Sequence, residues 1–258
     1  MYSAIWITLF FGGVVLPGTY HHFGDAEYLA LSIGLAAPVP FLPRLLGQYS
    51  SRRLSARQAA AADHIALCSA LWLALFSFVG NYFWTHYFFS LLGSSYSFPV
   101  SYFLNDIPYF IFFITVPYFL TYHVAATCGL RRLGLVGQAE KVSFGPATVL
   151  AAAAFAYVTA VVEVVTISSV PFYSHKDVAA MYTIGSAFYG LYFIISYPAY
   201  ARMSTSWSLS YAAQDALSAA MVVFILCDFW RLAIGVIYDG NSEHQPGALP
   251  FGSAPSTG

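Results

Sequence analysis

The sequence predicts an all-α, polytopic membrane protein: a helical bundle of about seven transmembrane spans with a cytosolic N-terminus. Of its 258 residues, 59% are hydrophobic and only 8% are charged, whereas a soluble domain carries about 25% charged residues. The chain therefore lacks the polar residues needed for an ordinary water-exposed surface. Its net charge of −1 gives no indication of a nucleic-acid partner. Because the chain is so apolar, membrane lipid is its expected surrounding.

Seven apolar segments approach the length of a transmembrane helix. A bilayer core about 30 Å thick requires roughly 20 apolar residues in helical form. The segments are residues 1–18, 26–46, 62–89, 107–128, 147–170, 181–201 and 211–237. They predict one transmembrane domain over residues 1–238, followed over residues 239–258 by a disordered tail rich in Gly, Pro and Ser.

The cationic residues predict how these spans are oriented. Cytosolic loops of membrane proteins carry an excess of Lys and Arg. Here eight of the ten lie in the connections between the second and third, the fourth and fifth, or the sixth and seventh segments or, for Arg44, at the end of the second segment. They are Arg44, Arg52, Arg53, Arg57, Arg131, Arg132, Lys141 and Arg202. These three connections are therefore expected in the cytosol, and the C-terminus in the lumen.

Several polar side chains lie within the apolar segments, where each is costly and is therefore a functional candidate. Five of them come out at comparable depths, roughly 5–14 Å from the lumenal ends at 1.5 Å per residue. We expect them to form one polar cluster, whereas His123 and Asp215 fall near the cytosolic ends. The five are Asn81, His86, Glu163, Asp228 and Arg231.

The simpler interpretations of these residues remain open. Asp228 and Arg231 are three residues apart on one helix, so an intrahelical ion pair is expected. Glu163 has no cation within one turn, and burial away from water then favours its neutral, protonated form. His86 follows an aromatic run and can serve as a hydrogen-bonded interfacial histidine.

Nothing in the sequence indicates a metal or a cofactor. His21 and His22, with Asp25 and Glu27 nearby, match no metal-binding template and are expected in a solvated loop. No nucleotide-binding or hydrolase motif is present. The expectation is a protein that works without a cofactor.

A resemblance carries more information than these patterns. The segment FVGNYFWTHYFFSLLGSSYSFP at residues 78–99 resembles the signature region of the cycloeucalenol cycloisomerases, also called cyclopropyl sterol isomerases. The likeness continues through TYHVAATCGLRRL, VVEVVTISSVPFY, AMYTIGSAFYGLYFIISYP and QDALSAAMVVFILCDFWRL. It covers nearly the whole chain apart from the first residues and the tail.

The resemblance implies an isomerase of sterol biosynthesis in the endoplasmic reticulum membrane. Such enzymes convert cycloeucalenol, a 9β,19-cyclopropyl sterol, to obtusifoliol. A proton adds to C19, the strained C9–C19 bond breaks, and loss of the C8 proton gives the Δ8 alkene. The implied partner is thus a sterol that reaches the site from the lipid.

This chemistry suggests a role for each candidate residue. Glu163 is the expected proton donor, because a buried neutral carboxyl can protonate carbon, and His86 or Asp228 is the expected base. Aromatic faces can stabilise the developing cation. The expected substrate contacts are Asn81, Tyr82, Trp84, Trp230 and Arg231, together with His123 or Asp215 at the sterol 3-hydroxyl.

Two other classes share these features. A seven-span receptor that binds a sterol or lipid without changing it has the same topology. A small transporter would show corresponding Gly or Pro interruptions in two halves of the chain, and the sequence has none. Oligomeric state is not indicated.

Overall fold

The computed structural model describes residues 2–47, 55–136, 145–168 and 170–238, and most of them are helical. The predicted disorder of residues 239–258 therefore concerns residues outside the described ones. In chain order the α-helices are α1 (Tyr2–Ile7), α2 (Asp25–Ala36), α3 (Leu42–Gly47), α4 (Ala56–Val79), α5 (Thr85–Leu92), α6 (Tyr109–Arg132), α7 (Pro146–Ser168), α8 (Val178–Ala180), α9 (Ser186–Ala201) and α10 (Leu209–Tyr238).

Three π-helical segments interrupt the regular helices of the described chain. Thr8–Val15 extends α1, Gly80–Trp84 joins α4 to α5, and Met181–Gly185 joins α8 to α9. A π-helical turn holds an extra residue and is frequent at functional sites. Two of the long helices therefore continue through a local change in the direction of their side chains.

Six helical stretches are long and apolar enough to cross a membrane, which confirms the all-α polytopic fold. They are Asp25–Leu46, Ala56–Leu92, Tyr109–Arg132, Pro146–Ile167, Val178–Ala201 and Leu209–Gly235. Many of their large apolar side chains point outward, such as Leu150, which is 73% exposed, and Phe229, which is 66% exposed. Such faces require a lipid environment.

The N-terminal segment differs from its prediction as a full span over residues 1–18. Its apolar helix covers only Tyr2–Val15, about 20 Å at 1.5 Å per residue. The chain then turns at Gly18, whose φ of 71° suits glycine. Trp6 is buried and its indole donates a hydrogen bond of 3.0 Å to Thr121 Oγ1, so this shorter helix is anchored on α6.

Small residues bring the long helices close together. Ala152, Ala156, Ala160 and Val164 recur every four residues along α7, and all four are fully buried. This face packs extensively against α9, because residues four apart lie on one side of a helix and small side chains allow close backbone approach. The packing of α7 against α9 therefore fixes the position of Glu163, which follows Val162 in α7.

Short strands close one end of the bundle. Ser95–Tyr96 (β1) pairs antiparallel with Tyr173–Ser174 (β4). Phe103–Leu104 (β2) pairs with Ile107–Pro108 (β3) in a hairpin. We refer to this end as the strand-bearing end. At the hairpin turn, Asn105 and Asp106 both have positive φ, as a two-residue type I′ turn requires.

Candidate active site

A large apolar cavity of about 450 Å³ lies between the N-terminal helix, α2, α6 and α7, near the strand-bearing end. Small-molecule sites usually measure about 300–1,000 Å³, so the cavity suits a lipid-sized ligand. Its wall is mostly aliphatic and aromatic. The lining residues include Phe10, Phe11, Val14, Tyr28, Leu31, Phe98, Phe110, Ile114, Tyr118, Glu163, Val165 and Val170.

A small cavity of about 70 Å³ adjoins the large one. The two share several lining residues, so Glu163 stands at their junction. Amide, hydroxyl and phenol groups form a larger share of the lining of the small cavity than of the large one. The residues lining both are Tyr96, Ile111, Thr115, Glu163, Ile167 and Tyr173.

Glu163 is the single carboxyl among the described residues that line these cavities. The phenol of Tyr122 donates a hydrogen bond to its Oε2. Tyr118 and Tyr189 also lie close enough to interact electrostatically with it. None of the described residues lining either cavity is Lys, Arg or His. Without a cationic partner, a carboxyl away from water favours its neutral form.

Asn81 faces the small cavity from the π-helical segment Gly80–Trp84. Its Nδ2 donates a hydrogen bond of 3.1 Å to Thr115 Oγ1 on α6. A Cβ added at Gly80 would lie 2.9 Å from the Trp84 ring, so this turn requires glycine at that position. The π-helical turn thus brings Asn81 to the same cavity as Glu163.

Tyr96 and Tyr173 close the site at the strand-bearing end. They are register partners in the β1–β4 pair and line both cavities. Burial raises the pKa of the Tyr173 phenol to about 12 and, with Tyr173 and Glu163 nearby, raises that of Tyr96 well above its usual value. Both phenols are therefore neutral near pH 7.

Comparison with known proteins relates this chain to an enzyme. The chain is 41% identical over 261 residues to "Cycloeucalenol cycloisomerase" from Arabidopsis thaliana, an alignment that covers 97% of this chain and 90% of the relative. The chain belongs to the cycloeucalenol cycloisomerase family. The family and the isomerase class predicted from the sequence are thereby confirmed. No family model and no solved structure matches the chain.

For this member of the cycloeucalenol cycloisomerase family, the structure brings together only part of the expected polar cluster. Asn81 and Glu163 line one cavity, as expected. His86, Asp228 and Arg231 are not among the described residues that line either cavity. The expectation of a single five-residue cluster is therefore wrong for these three, although their roles in the reaction stay predictions.

His86 instead holds the β2–β3 hairpin. Its Nε2 donates a hydrogen bond of 3.0 Å to Asn105 O, since a backbone carbonyl can only accept. Asn105 Nδ2 in turn donates to Tyr82 O at 2.6 Å. The contacts of His86 match the structural interpretation given above, with the histidine fixing a turn beside the cavity wall.

Asp228 and Arg231 form the intrahelical ion pair that their spacing predicts. Arg231 Nη2 lies 2.9 Å from Asp228 Oδ1, and the side chain of Asp228 is 41% exposed. Trp230, on the same helix, is 37% exposed. The acid, the cation and the indole are not among the described residues that line either cavity, so they do not contact a ligand lying there.

The two groups expected at the sterol 3-hydroxyl are engaged elsewhere in the cycloisomerase fold. His123 is completely buried, with Nδ1 bonded to Phe119 O at 2.7 Å and Nε2 accepting from Ser196 Oγ at 2.9 Å. Asp215 pairs with Arg202 and accepts a 2.9 Å bond from Trp72 Nε1. Neither lines the cavities, so neither meets a sterol lying in them.

The aromatic residues expected around the cation also occupy other positions. Tyr82 stacks on Phe78. Trp84 is fully buried against Phe76 and Tyr192, and its indole nitrogen has no hydrogen-bond partner among the described residues. Neither is among the described residues lining the cavities of this family member.

Sequence reasoning missed the tyrosines that surround Glu163. A signal was present, because Tyr118 and Tyr122 are four residues apart on α6 and must share a face. Tyr96 and Tyr173 come from two loops far apart in sequence, and no local pattern joins them. The tyrosines concerned are Tyr96, Tyr118, Tyr122, Tyr173, Tyr189 and Tyr192.

Proposed function

We propose that this protein opens the 9β,19-cyclopropane ring of cycloeucalenol to give obtusifoliol, in the endoplasmic reticulum membrane and without a cofactor. The observation that carries the proposal is that Glu163 is the one carboxyl among the described residues lining an apolar cavity of about 450 Å³ in a member of this family. The cavity lies among helices with lipid-compatible outer faces, which suits a substrate that partitions into the bilayer.

Glu163 is proposed to supply the proton. Its neutral carboxyl transfers the O–H proton to C19, the electrons of the C9–C19 bond form the new C19–H bond, and positive charge develops at C9. The hydrogen bond from Tyr122 to Oε2 supports this step, because a donor to the carboxyl group stabilises the carboxylate that forms. The surrounding phenol rings present electron-rich faces to the cation.

The same carboxyl is proposed to complete the reaction. Once it has lost its proton, Glu163 is a carboxylate beside the cation and can accept the C8 proton, while the C8–H electrons form the Δ8 double bond. C19 and the C8 hydrogen lie on the same face of the sterol. The donor is thus regenerated, and neither His86 nor Asp228 is required as a base, which agrees with their positions outside the cavities.

Turnover of cycloeucalenol by the purified, detergent-solubilised protein tests this function. Wild type is expected to form a Δ8 sterol that gas chromatography with mass spectrometry identifies. Glu163→Gln preserves size and removes the acidic proton, so it should lower kcat about 100- to 10,000-fold, the range typical of a general acid or base.

The matched control is Asp63→Asn, which makes the same carboxyl-to-amide change in an exposed ion pair with Arg44. It should keep wild-type turnover. Release of unchanged sterol by a folded wild-type protein would contradict the proposed reaction and favour a sterol-binding receptor. Near-normal turnover by Glu163→Gln would instead reject Glu163 as the donor.

A further inference from the structure

The small cavity contains polar groups that the ring-opening steps do not use. Its volume of about 70 Å³ admits only the end of a larger molecule. It shares six lining residues with the large cavity, among them Glu163. Besides Glu163, its polar lining consists of Asn81, Thr85, Tyr96, Thr115, Tyr173, Tyr189 and Tyr192.

Asn81 retains hydrogen-bonding capacity in this cavity. One amide hydrogen is donated to Thr115 Oγ1 at 3.1 Å. The hydroxyl of Thr115 has a single hydrogen, which is given to Ile111 O at 2.6 Å. The remaining contact, between Thr115 Oγ1 and Asn81 Oδ1, is long at 3.5 Å. The side-chain amide therefore offers one acceptor and a second donor to a ligand.

Three hydroxyls that line the large cavity already donate their hydrogen to nearby backbone. Tyr28 Oη donates to Tyr20 O at 2.8 Å. Ser32 Oγ donates to Leu29 O at 3.1 Å, and Thr166 Oγ1 donates to Val162 O at 2.8 Å. A hydroxyl buried without a hydrogen bond is costly. Because the Asn81 amide offers such a hydroxyl both a donor and an acceptor, it favours a ligand whose polar end points towards the small cavity.

We propose that the small cavity is the binding site for the 3-hydroxyl end of the sterol, with the side-chain amide of Asn81 pairing with that hydroxyl. This inference rests on the proposed function, since it takes the ligand to be a cyclopropyl sterol. Ring A enters the small cavity, and the remaining rings and the aliphatic side chain fill the large one.

This orientation accounts for the position of Glu163. In a 9β,19-cyclopropyl sterol, C19 bridges C9 and C10 of ring B, C10 is also part of ring A, and the hydroxyl stands at the far side of ring A. With the hydroxyl at Asn81, the cyclopropane lies at the junction of the cavities, which is where Glu163 lies. Recognition of the hydroxyl and delivery of the proton then fix one register of the substrate.

The experiment compares cycloeucalenol with its 3-deoxy analogue in wild type, Asn81→Leu, Thr115→Val and Thr127→Val. A hydrogen bond contributes about 0.5–1.5 kcal/mol, so wild type should prefer the hydroxysterol in kcat/KM by about 2- to 12-fold. In Asn81→Leu this preference should fall to about 1. Thr115→Val, which frees the Asn81 amide from its anchor, should reduce the preference partly.

Thr127→Val is the matched control on the same helix. Thr127 is buried, lines neither cavity, and its hydroxyl has no partner among the described residues. The preference for the hydroxysterol should stay at the wild-type value. Should Asn81→Leu fail to fold, the comparison of Thr115→Val with Thr127→Val carries the test.

A second readout separates this inference from the proposed function. Thermal unfolding of the purified protein with each sterol reports binding, because a ligand of the folded state raises the melting temperature. Turnover with the same preference in wild type and Asn81→Leu would overturn the hydroxyl site and leave the enzyme function intact. Absence of turnover, with greater stabilisation by the hydroxysterol that Asn81→Leu abolishes, would overturn the function and support the site.

Discussion

Tyr122 on α6 donates its phenolic hydrogen to Oε2 of Glu163 on α7, so the proposed proton donor is held across a helix interface. A neutral carboxyl and a phenol form a stable pair in a site whose described lining residues include no Lys, Arg or His. When the carboxyl releases its proton, the same bond becomes charge-assisted and roughly twice as strong. The contact is therefore stronger in the state that follows proton transfer than in the resting state.

Removal of this phenol should slow the reaction more than it weakens substrate binding. In Tyr122→Phe, loss of a hydrogen bond to a charged group, worth about 1.5–3 kcal/mol, should lower kcat by about 10- to 100-fold and leave KM nearly unchanged. Steady-state kinetics with cycloeucalenol measure both constants. Tyr200→Phe, which removes a phenol bonded to Ser69, is the control, and an equal loss in both variants would argue against a specific role for Tyr122.

Asp228→Asn distinguishes the two carboxyls that the sequence offers as catalytic groups. Because Asp228 pairs with Arg231 and is not among the described residues that line the cavities, this variant should keep turnover within about 5-fold of wild type, since a part-exposed ion pair is worth at most about 1 kcal/mol. Turnover of cycloeucalenol by Asp228→Asn is measured side by side with that of Glu163→Gln, and gel filtration checks that both variants fold. A loss as large as that of Glu163→Gln would return Asp228 to the mechanism.

Gly80→Ala tests the π-helical turn that presents Asn81. The added methyl group would lie 2.9 Å from the Trp84 ring, and overpacking of this kind costs about 1–3 kcal/mol. The melting temperature in detergent should fall. Gly190→Ala is the control, because a Cβ there meets no atom within 4 Å. Equal melting temperatures for the two variants would show that the turn adapts freely.

Cysteine labelling tests the orientation predicted from the Arg and Lys residues. In a Cys128→Ala background, Ser206→Cys should react with a membrane-impermeant maleimide added outside sealed microsomes, because the α9–α10 connection is expected in the cytosol. Ser101→Cys, at the strand-bearing end, should react only after the membrane is permeabilised. Both positions are exposed. The reverse pattern of labelling would invert the topology.

Sequence reasoning succeeded where one residue carried the information. Glu163 stands alone in an apolar helix, and the cost of burying it is visible without a structure. The depth of a residue along a helix, however, does not tell which side of the helix its side chain faces. Asp228 lies at a depth similar to that expected of Glu163 and yet faces elsewhere, because each residue turns the helix by about 100°.

Local geometry also explains why His86 does not line the cavities beside Asn81. The π-helical segment Gly80–Trp84 contains Asn81, ends two residues before His86 and adds a residue to one turn. Residues after it therefore face a direction that regular helical counting does not give. The N-terminal helix differed for another reason: the turn at Gly18 ends an apolar run before it reaches the length of a span.

The β1–β4 pair has a consequence for biosynthesis. Ser95 meets Ser174 across 79 positions of the chain, and two long helices, α6 and α7, lie between them. Tyr96 and Tyr173 form the wall of the site at the strand-bearing end. This wall can therefore form only after both of those helices have left the translocon and packed. Until then the cavity of a nascent chain lacks this wall. The protein therefore becomes capable of catalysis only late in membrane insertion.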